Sequence, residues 1–392
     1  MTQIPMDRML GVTYGLAYGD ALGRPTEFMK AASLEKFGNP FRRQVGLTRP
    51  TQGIVTDDTQ MSLAIGRAAL GDPDPKQLTA SFIRELIRWH GDPKSRDGKR
   101  APGMTCLSAV GRLKRDPKQW LLATDTDSKG NGANMRVSPL ALRTDWTYRQ
   151  LSAAAQMQAA LTHGHATALA AADLTAVAVR MLLEDVAKPG PALLDHLLAY
   201  AHDQRNVYHG DWLGHLWEHS AKQVPFSWGG LGLPLGGSRT GRLWEDDASW
   251  PIGAVVRNYP APRRRAHRPA PKSPQEFIER GWDKLIDCLL RIYDVPRNQH
   301  QDPCRVGGEG WVAEEALMVA LHTLLCFPDD PTNALRRAAF TSGDSDSIAS
   351  ITGALAGAAY GRRYFPHGWI ENLEYRREID SLTARLANAA GC

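Results

Sequence analysis

The sequence predicts an all-α fold. Five long segments carry apolar residues at three- and four-residue steps, or all round. Alternating apolar–polar runs bounded by hairpin turns are scarce, and no internal repeat of fixed period is found. Two rows of glycines at four-residue spacing are a third sign, because such a row on one helix face lets a second helix come close.

The first row is Gly11, Gly15, Gly19 and Gly23 in "GVTYGLAYGDALG". A glycine inside a helix costs about 1 kcal/mol relative to alanine, so a row of them needs a return, and close packing supplies it. The segments "DDTQMSLAIGRAAL" (57–70), "LTASFIRELIRWH" (78–90) and "ATALAAADLTAVAVRMLLED" (166–185) then read as helices. From about 223 to 274 the chain is rich in Gly, Pro and Trp. These breakers forbid a long helix, so an irregular insertion into a single helical domain of 1–392 is expected. Its basic stretch, 257–272, reads either as a nucleic-acid or phosphate contact or as a solvated Pro-rich loop. Helices follow over "GWVAEEALMVALHTLL" (310–325) and "NLEYRREIDSLTARLANAA" (372–390). Between them lies the second glycine row, Gly353, Gly357 and Gly361. Both glycine-bearing helices are expected in the middle of the domain, with each other as one packing partner. That would draw Asp20, Glu27 and Asp344 toward one centre.

Composition narrows the class. Hydrophobic residues make up 43% and charged residues 23% of 392, as in an ordinary globular protein. Lys and Arg number 47 against 42 Asp and Glu, and a net charge of +5 over this length does not announce a nucleic-acid binder. The five cysteines, Cys106, Cys288, Cys304, Cys326 and Cys392, are isolated and form no CxxC, which argues against a disulfide framework or a zinc site. The start "MTQIPMDRMLGV" lacks a signal-peptide pattern, and no stretch approaches the ~20 apolar residues of a membrane span. A cytoplasmic monomer without a membrane partner is the expectation.

Two acidic clusters carry the chemistry. Asp57 and Asp58 lie between Thr56 and Thr59 at one helix start, and Asp344 and Asp346 flank Ser345 at another, followed by Ser347. A helix N-terminus welcomes an anion, so either pair alone can be capping. Brought together, four carboxylates would repel unless a cation neutralised them, and oxygen ligands suit Mg²⁺ or Mn²⁺ rather than zinc. Four carboxylates can serve two such ions ~4 Å apart, as in two-metal hydrolytic sites. In "SKGNGANMRVSPL" (128–140), Gly130 and Gly132 would let backbone N–H groups approach a diphosphate. "LTHGHATAL" (161–169) offers His163 and His165, as caps, as core residues or as contacts to phosphate or base.

Four stretches together resemble one family. "GxxxGxAxGDALGxPxEF" stands at 11–28, "TDDT" at 56–59, "SKGNGANMR" at 128–136 and "SGDSDSIASITGALAGAAYG" at 342–361. The chain resembles the ADP-ribosylglycohydrolases, over about 1–222 and 308–370. The resemblance implies a compact orthogonal helical domain, a centre of two Mg²⁺ or Mn²⁺ ions, and removal of ADP-ribose from an acceptor by water attack at the anomeric carbon. By motif position it implies Thr56, Asp57, Asp58, Asp344, Asp346 and Ser347 as metal ligands. Glu27, Asp58 and Asp344 are implied as the catalytic carboxylates, with Glu27 also gating or touching the substrate. Ser128, Gly130, Asn131, Gly132, Met135 and His163 are implied to hold the ADP-ribose. The partner would be an ADP-ribosylated macromolecule or small molecule.

Two departures matter. Ser347 stands where the family often has threonine, which keeps the hydroxyl. Some arginine-directed relatives carry an Asp-x-Gly after the third helix, where this chain has "RAPGMTC" (100–106), with Ala101 at the Asp position and Asp92 and Asp97 out of register. Arginine, serine, a nucleobase or a small ADP-ribosyl molecule are therefore all open as acceptors. A non-catalytic ADP-ribose binder or toxin-neutralising protein, and a two-metal phosphohydrolase, are the rival readings.

Overall fold

The structure is a computed structural model and describes residues 4–42, 53–96, 100–221 and 270–391. Most of the expected insertion, 223–269, and with it the basic stretch up to that point, lies outside the described residues. Among the described residues every regular element is helical, joined by three isolated bridges, Gly53 with Leu373, Asp125 with His163 and Gly130 with Val312.

The longer helices are α1 (Met6–Gly23), α2 (Asp57–Ala68), α3 (Pro75–Gly91), α4 (Met104–Arg115), α5 (Tyr148–Ala160) and α6 (Ala166–Leu183). They continue with α7 (Pro191–Gln204), α8 (Pro274–Asp294), α9 (Ala313–Cys326), α10 (Pro331–Ala339), α11 (Ser345–Tyr360) and α12 (Arg376–Ala389). Their starts are capped as their sequences suggest. Asp74 accepts from Lys76 and Gln77, Thr147 and Gln150 form a reciprocal capping box, and Ser273 accepts from Glu276.

The two glycine rows meet each other. A Cβ on Gly11 would lie 2.3 Å from the Gly357 carbonyl oxygen, and one on Gly19 would lie 2.1 Å from that of Ala349. A Cβ on Gly23 would stand 2.4 Å from the Asp346 Cα, so the seam runs straight into the second acidic cluster. Gly361 is not inside the helix as its spacing suggested. It lies just past α11 at φ 89°, where a residue without a Cβ ends the helix, and its Cα still faces Gly11. Helix α6 is apolar enough to pass for a membrane span, with a mean hydropathy of 1.6, yet all of it is buried in the core.

Two helices start later than their periodicity suggested. Gly310 turns the chain at φ 79° and Val312 is extended and pairs with Gly130, so α9 begins at Ala313. Tyr375, at φ 58°, turns the chain before α12, which begins at Arg376.

Candidate active site

The first acidic cluster is built at the start of α2. Thr56 is the cap: its hydroxyl accepts from the Asp58 N–H. Asp20, reaching across from α1, accepts from the Thr56 N–H at 2.8 Å, the Thr59 N–H at 3.0 Å and the Thr59 hydroxyl at 2.6 Å. Capping at this helix start is therefore done by Thr56 and Asp20, and Asp57 and Asp58 are released from it. The Asp57 N–H donates to the Arg100 carbonyl at 3.1 Å, its carboxylate is faced by the Gly103 N–H, and Asp58 Oδ1 is buried with no hydrogen-bond partner.

The second cluster sits at the start of α11. Asp344 occupies the cap position but its side chain caps nothing, and Asp346 bonds to the neighbouring Ser347 N–H at 3.0 Å. The turn before it is fixed by Gly343, at φ 83°, whose N–H donates to Met29 and whose carbonyl accepts from Phe28. This ties the segment after Glu27 to the segment before Asp344.

The two clusters meet. The Thr56 hydroxyl donates to Asp58 at 3.2 Å and also faces Asp346, and Asp344 and Asp346 lie against each other, each shifting the other's titration. Asn131 donates to Asp344 at 3.4 Å and the Ser347 hydroxyl reaches the Met135 sulfur at 3.6 Å, so the glycine-rich turn closes on the same centre. Burial first, and then the neighbouring carboxylates, push Asp57, Asp58 and Asp344 well above the usual carboxylate range; Asp346 is raised by burial. Asp20 is pushed up to about 7 by burial and Asp346. Half-buried Glu27 is pushed to about 11, by burial and then by Asp346, Asp344, Asp57 and Asp20.

Such a group of carboxylates fits hard divalent cations. The donors are all oxygens, they share a buried site, and the orphaned Asp58 Oδ1 has nothing else to bind. As the side chains stand, no three Asp, Glu, His or Cys among the described residues form a ready ligand set, so ions would have to draw the carboxylates inward.

The turn 128–136 forms the adjoining wall. The Asn131 N–H donates to the Trp311 carbonyl at 3.1 Å and the Ala313 N–H to the Lys129 carbonyl at 3.0 Å, while the Lys129 ammonium pairs with buried Glu314. That lysine is thereby committed to the loop's position. Gly130 and Gly132 are required by the His163 ring beneath them. A Cβ on Gly130 would meet its Nε2 at 3.2 Å, and one on Gly132 would meet its Cε1 at 3.0 Å and the Cys106 sulfur at 2.6 Å. The Thr162 hydroxyl accepts from Arg136 at 2.9 Å and lies 2.8 Å from His163 Nδ1, which fixes the orientation of the ring. Its Nε2 lies under the loop, beside Gly130. Burial and Arg136 hold the imidazole neutral, lowering it to about 3. His165 is a cap: its Nδ1 accepts from the Thr167 N–H.

Ser128 lies at the edge, its hydroxyl 3.3 Å from that of Thr105. Ala101 is exposed at φ 46°, two residues before Gly103, whose N–H faces Asp57, so the loop 101–103 borders the acidic centre. The sequence brought Asp20 toward this centre without giving it a task, and Arg136 was passed over although it stands inside the quoted motif.

The profile of the ADP-ribosylglycohydrolase family matches residues 1–391. The chain belongs to this family. It is similar to the ADP-ribosyl-[dinitrogen reductase] glycohydrolase of Rhodospirillum rubrum, 37% identical over 163 residues, 41% of this chain and about half (52%) of that protein. It is also similar to the ADP-ribosylarginine hydrolase Tri1 of Serratia proteamaculans, 23% identical across 97% of this chain and 79% of that one. With the ADP-ribosylhydrolase ARH3 of Mus musculus it shares 24% identity across 97% of this chain and 91% of that one. A solved ADP-ribosylglycohydrolase-related protein complex has the same fold, with a TM-score of 0.60 at 22% identity and full coverage of both chains. The family and these relatives are named as hydrolases of ADP-ribosyl bonds.

Proposed function

We propose that this chain removes ADP-ribose from an ADP-ribosylated acceptor, in a reaction that depends on divalent metal and uses water to attack the anomeric carbon. The observation that carries the reading is the meeting of two buried carboxylate clusters whose helix starts are capped by other groups or left uncapped. Thr56, Asp57, Asp58, Asp344, Asp346 and Ser347 would hold two Mg²⁺ or Mn²⁺ ions. Bound there, the ions supply the positive charge that the carboxylates lack and acidify water held among them.

The protein's own groups do the rest. The His163 imidazole and the backbone of Gly130, Asn131 and Gly132 hold the diphosphate and ribose, with Ser128 and Met135 at the edges of that wall. Asp58 and Asp344 orient the attacking water and face the positive charge that develops on the ribose ring. Glu27 sits between this centre and solvent, placed to take or return a proton at its carboxyl. The acceptor leaves past the 101–103 loop.

Mass spectrometry of the products tests this. The substrates are arginine-, serine- and DNA-linked ADP-ribose, each with Mg²⁺, Mn²⁺ or a chelator. Metal-dependent release of free ADP-ribose is the expected result and names the acceptor. Phosphate or nucleotide products would replace the reading with a phosphohydrolase, and ADP-ribose binding without turnover would replace it with a binder.

A further inference from the structure

We infer that Asp302 is a positioning residue for the acidic centre, setting the turn that aims Asp344 and Asp346. The inference rests on the metal-centre reading above. Asp302 stands before the one-turn helix Cys304–Gly307 and is 42 residues before Asp344 in the chain. A cap there needs a single acceptor, and Asp302 Oδ1 provides it to the Cys304 N–H at 3.1 Å.

The rest of the carboxylate is spent on the turn entering α11. Oδ1 also accepts from the Thr341 hydroxyl and, at 3.4 Å, from the Ser342 N–H. Oδ2 accepts from the Ser342 hydroxyl at 2.8 Å and shares the same N–H. The Cys304 thiol donates to the Ser342 carbonyl at 2.6 Å, and Arg337, which feels the Asp302 charge, donates to the Phe340 carbonyl. Thr341 and Ser342 are buried, so their polar groups depend on partners within the protein, and Asp302 is the one that joins them.

What this turn carries makes the clamp more than local. Its next residue, Gly343, exchanges two backbone hydrogen bonds with Phe28 and Met29, and the Asp344 N–H donates to the Glu309 carbonyl at 2.8 Å. Displacing 341–342 therefore shifts Asp344 and the segment after Glu27 together. Outer groups that orient ligands commonly govern about 10–100-fold in metal affinity.

The test uses the full chain, stripped of metal and titrated with Mn²⁺, reading free Mn²⁺ by electron paramagnetic resonance and melting by circular dichroism. Asp302→Ala is compared with Asp330→Ala, which removes an ordinary cap, the Asp330 acceptor for the Asn333 N–H at the start of α10. The expected result is that Asp302→Ala weakens Mn²⁺ binding about tenfold or more, while Asp330→Ala lowers the melting temperature and leaves Mn²⁺ affinity unchanged. Asp302→Asn, which keeps one acceptor oxygen, falls between and serves if the alanine variant does not fold. Wild-type affinity in cooperatively melting Asp302 variants overturns the inference, as does equal weakening by Asp330→Ala. Absence of Mn²⁺ binding by the wild type sinks the metal reading and this inference with it.

Discussion

Gly15 and Gly353 touch backbone to backbone: a Cβ on Gly15 would stand 2.0 Å from the Gly353 carbonyl oxygen, and one on Gly353 would stand 1.9 Å from that of Gly15. Neither obstacle is a side chain that can swing away, so the helices themselves would have to part. Gly15→Ala or Gly353→Ala is expected to cost about 4 kcal/mol or more, despite the better helix propensity of alanine. Gly91, the last residue of α3, has open space at its Cβ position, and Gly91→Ala is expected to stabilise by about 0.5–1 kcal/mol. Urea denaturation of the three variants decides it. A Gly353→Ala protein as stable as the wild type would mean that α1 and α11 are not in this contact.

That contact was legible because glycines at four-residue spacing are costly in a helix unless a neighbour uses the space. The limits of legibility were just as local. Gly361 continues the spacing and yet ends α11, since spacing says nothing of φ. Tyr375 adopts a left-handed conformation that its side chain does not announce. The 310–312 stretch is apolar enough for a helix and is claimed instead by pairing with the 128–131 turn, a partner far away in sequence.

Asp58→Asn keeps the shape of the cluster and removes one of its charges. In chelator the variant is expected to be more stable than the wild type by about 1–2 kcal/mol, because a buried carboxylate facing its like is relieved. The wild type should gain about 2.7 kcal/mol from Mn²⁺ at a hundred times its dissociation constant, and the variant should lose that gain together with turnover. Thermal melts with and without Mn²⁺ give both numbers. A variant destabilised in chelator would show that the carboxylate serves the fold.

The ligand candidates could be read from pairs of aspartates beside hydroxyl residues at helix starts. What the sequence could not supply was who does the capping. Asp20 lies 36 residues before Thr56, and only the packing of α1 against α2 shows that it relieves Asp57 and Asp58 of that work. Asp302 is hidden in the same way, in a stretch where nothing marks an aspartate as special.

Away from the site, Asp173 on α6 accepts from Ser152, Gln156 and Tyr200, and burial still pushes it from 3.8 to about 6. Its folded pKa is the higher one. Its contribution to stability is therefore fully present below about pH 4 and is lost as pH rises through about 6, a change of about 3 kcal/mol. His209, bonded to the same Ser152 hydroxyl, is lowered to about 4 by burial and Arg149, and it acts in the opposite sense as pH falls from 6.5. The wild-type profile should be nearly flat as far as this pair is concerned. Asp173→Asn should uncover the histidine, gaining about 3 kcal/mol relative to the wild type between pH 4 and 6. Equal pH slopes in urea melts of the two proteins would rule out the shift at Asp173.

Ala101 is held at φ 46°, a conformation that aspartate tolerates better than alanine, so Ala101→Asp carries no strain of its own. The Gly103 N–H of the same loop faces Asp57, and on the proposed exit past 101–103 a carboxylate at 101 would meet the departing acceptor. A guanidinium gains about 1.5–3 kcal/mol from a charged hydrogen bond, and a serine hydroxyl gains much less. Ala101→Asp should therefore raise kcat/KM for ADP-ribosylarginine by about tenfold or more over the wild type, leaving ADP-ribosylserine unchanged and stability within about 0.5 kcal/mol. Parallel release assays on the two substrates check it. An equal change on both would mean that the 101–103 loop acts on ADP-ribose itself and that acceptor choice is made elsewhere on the rim.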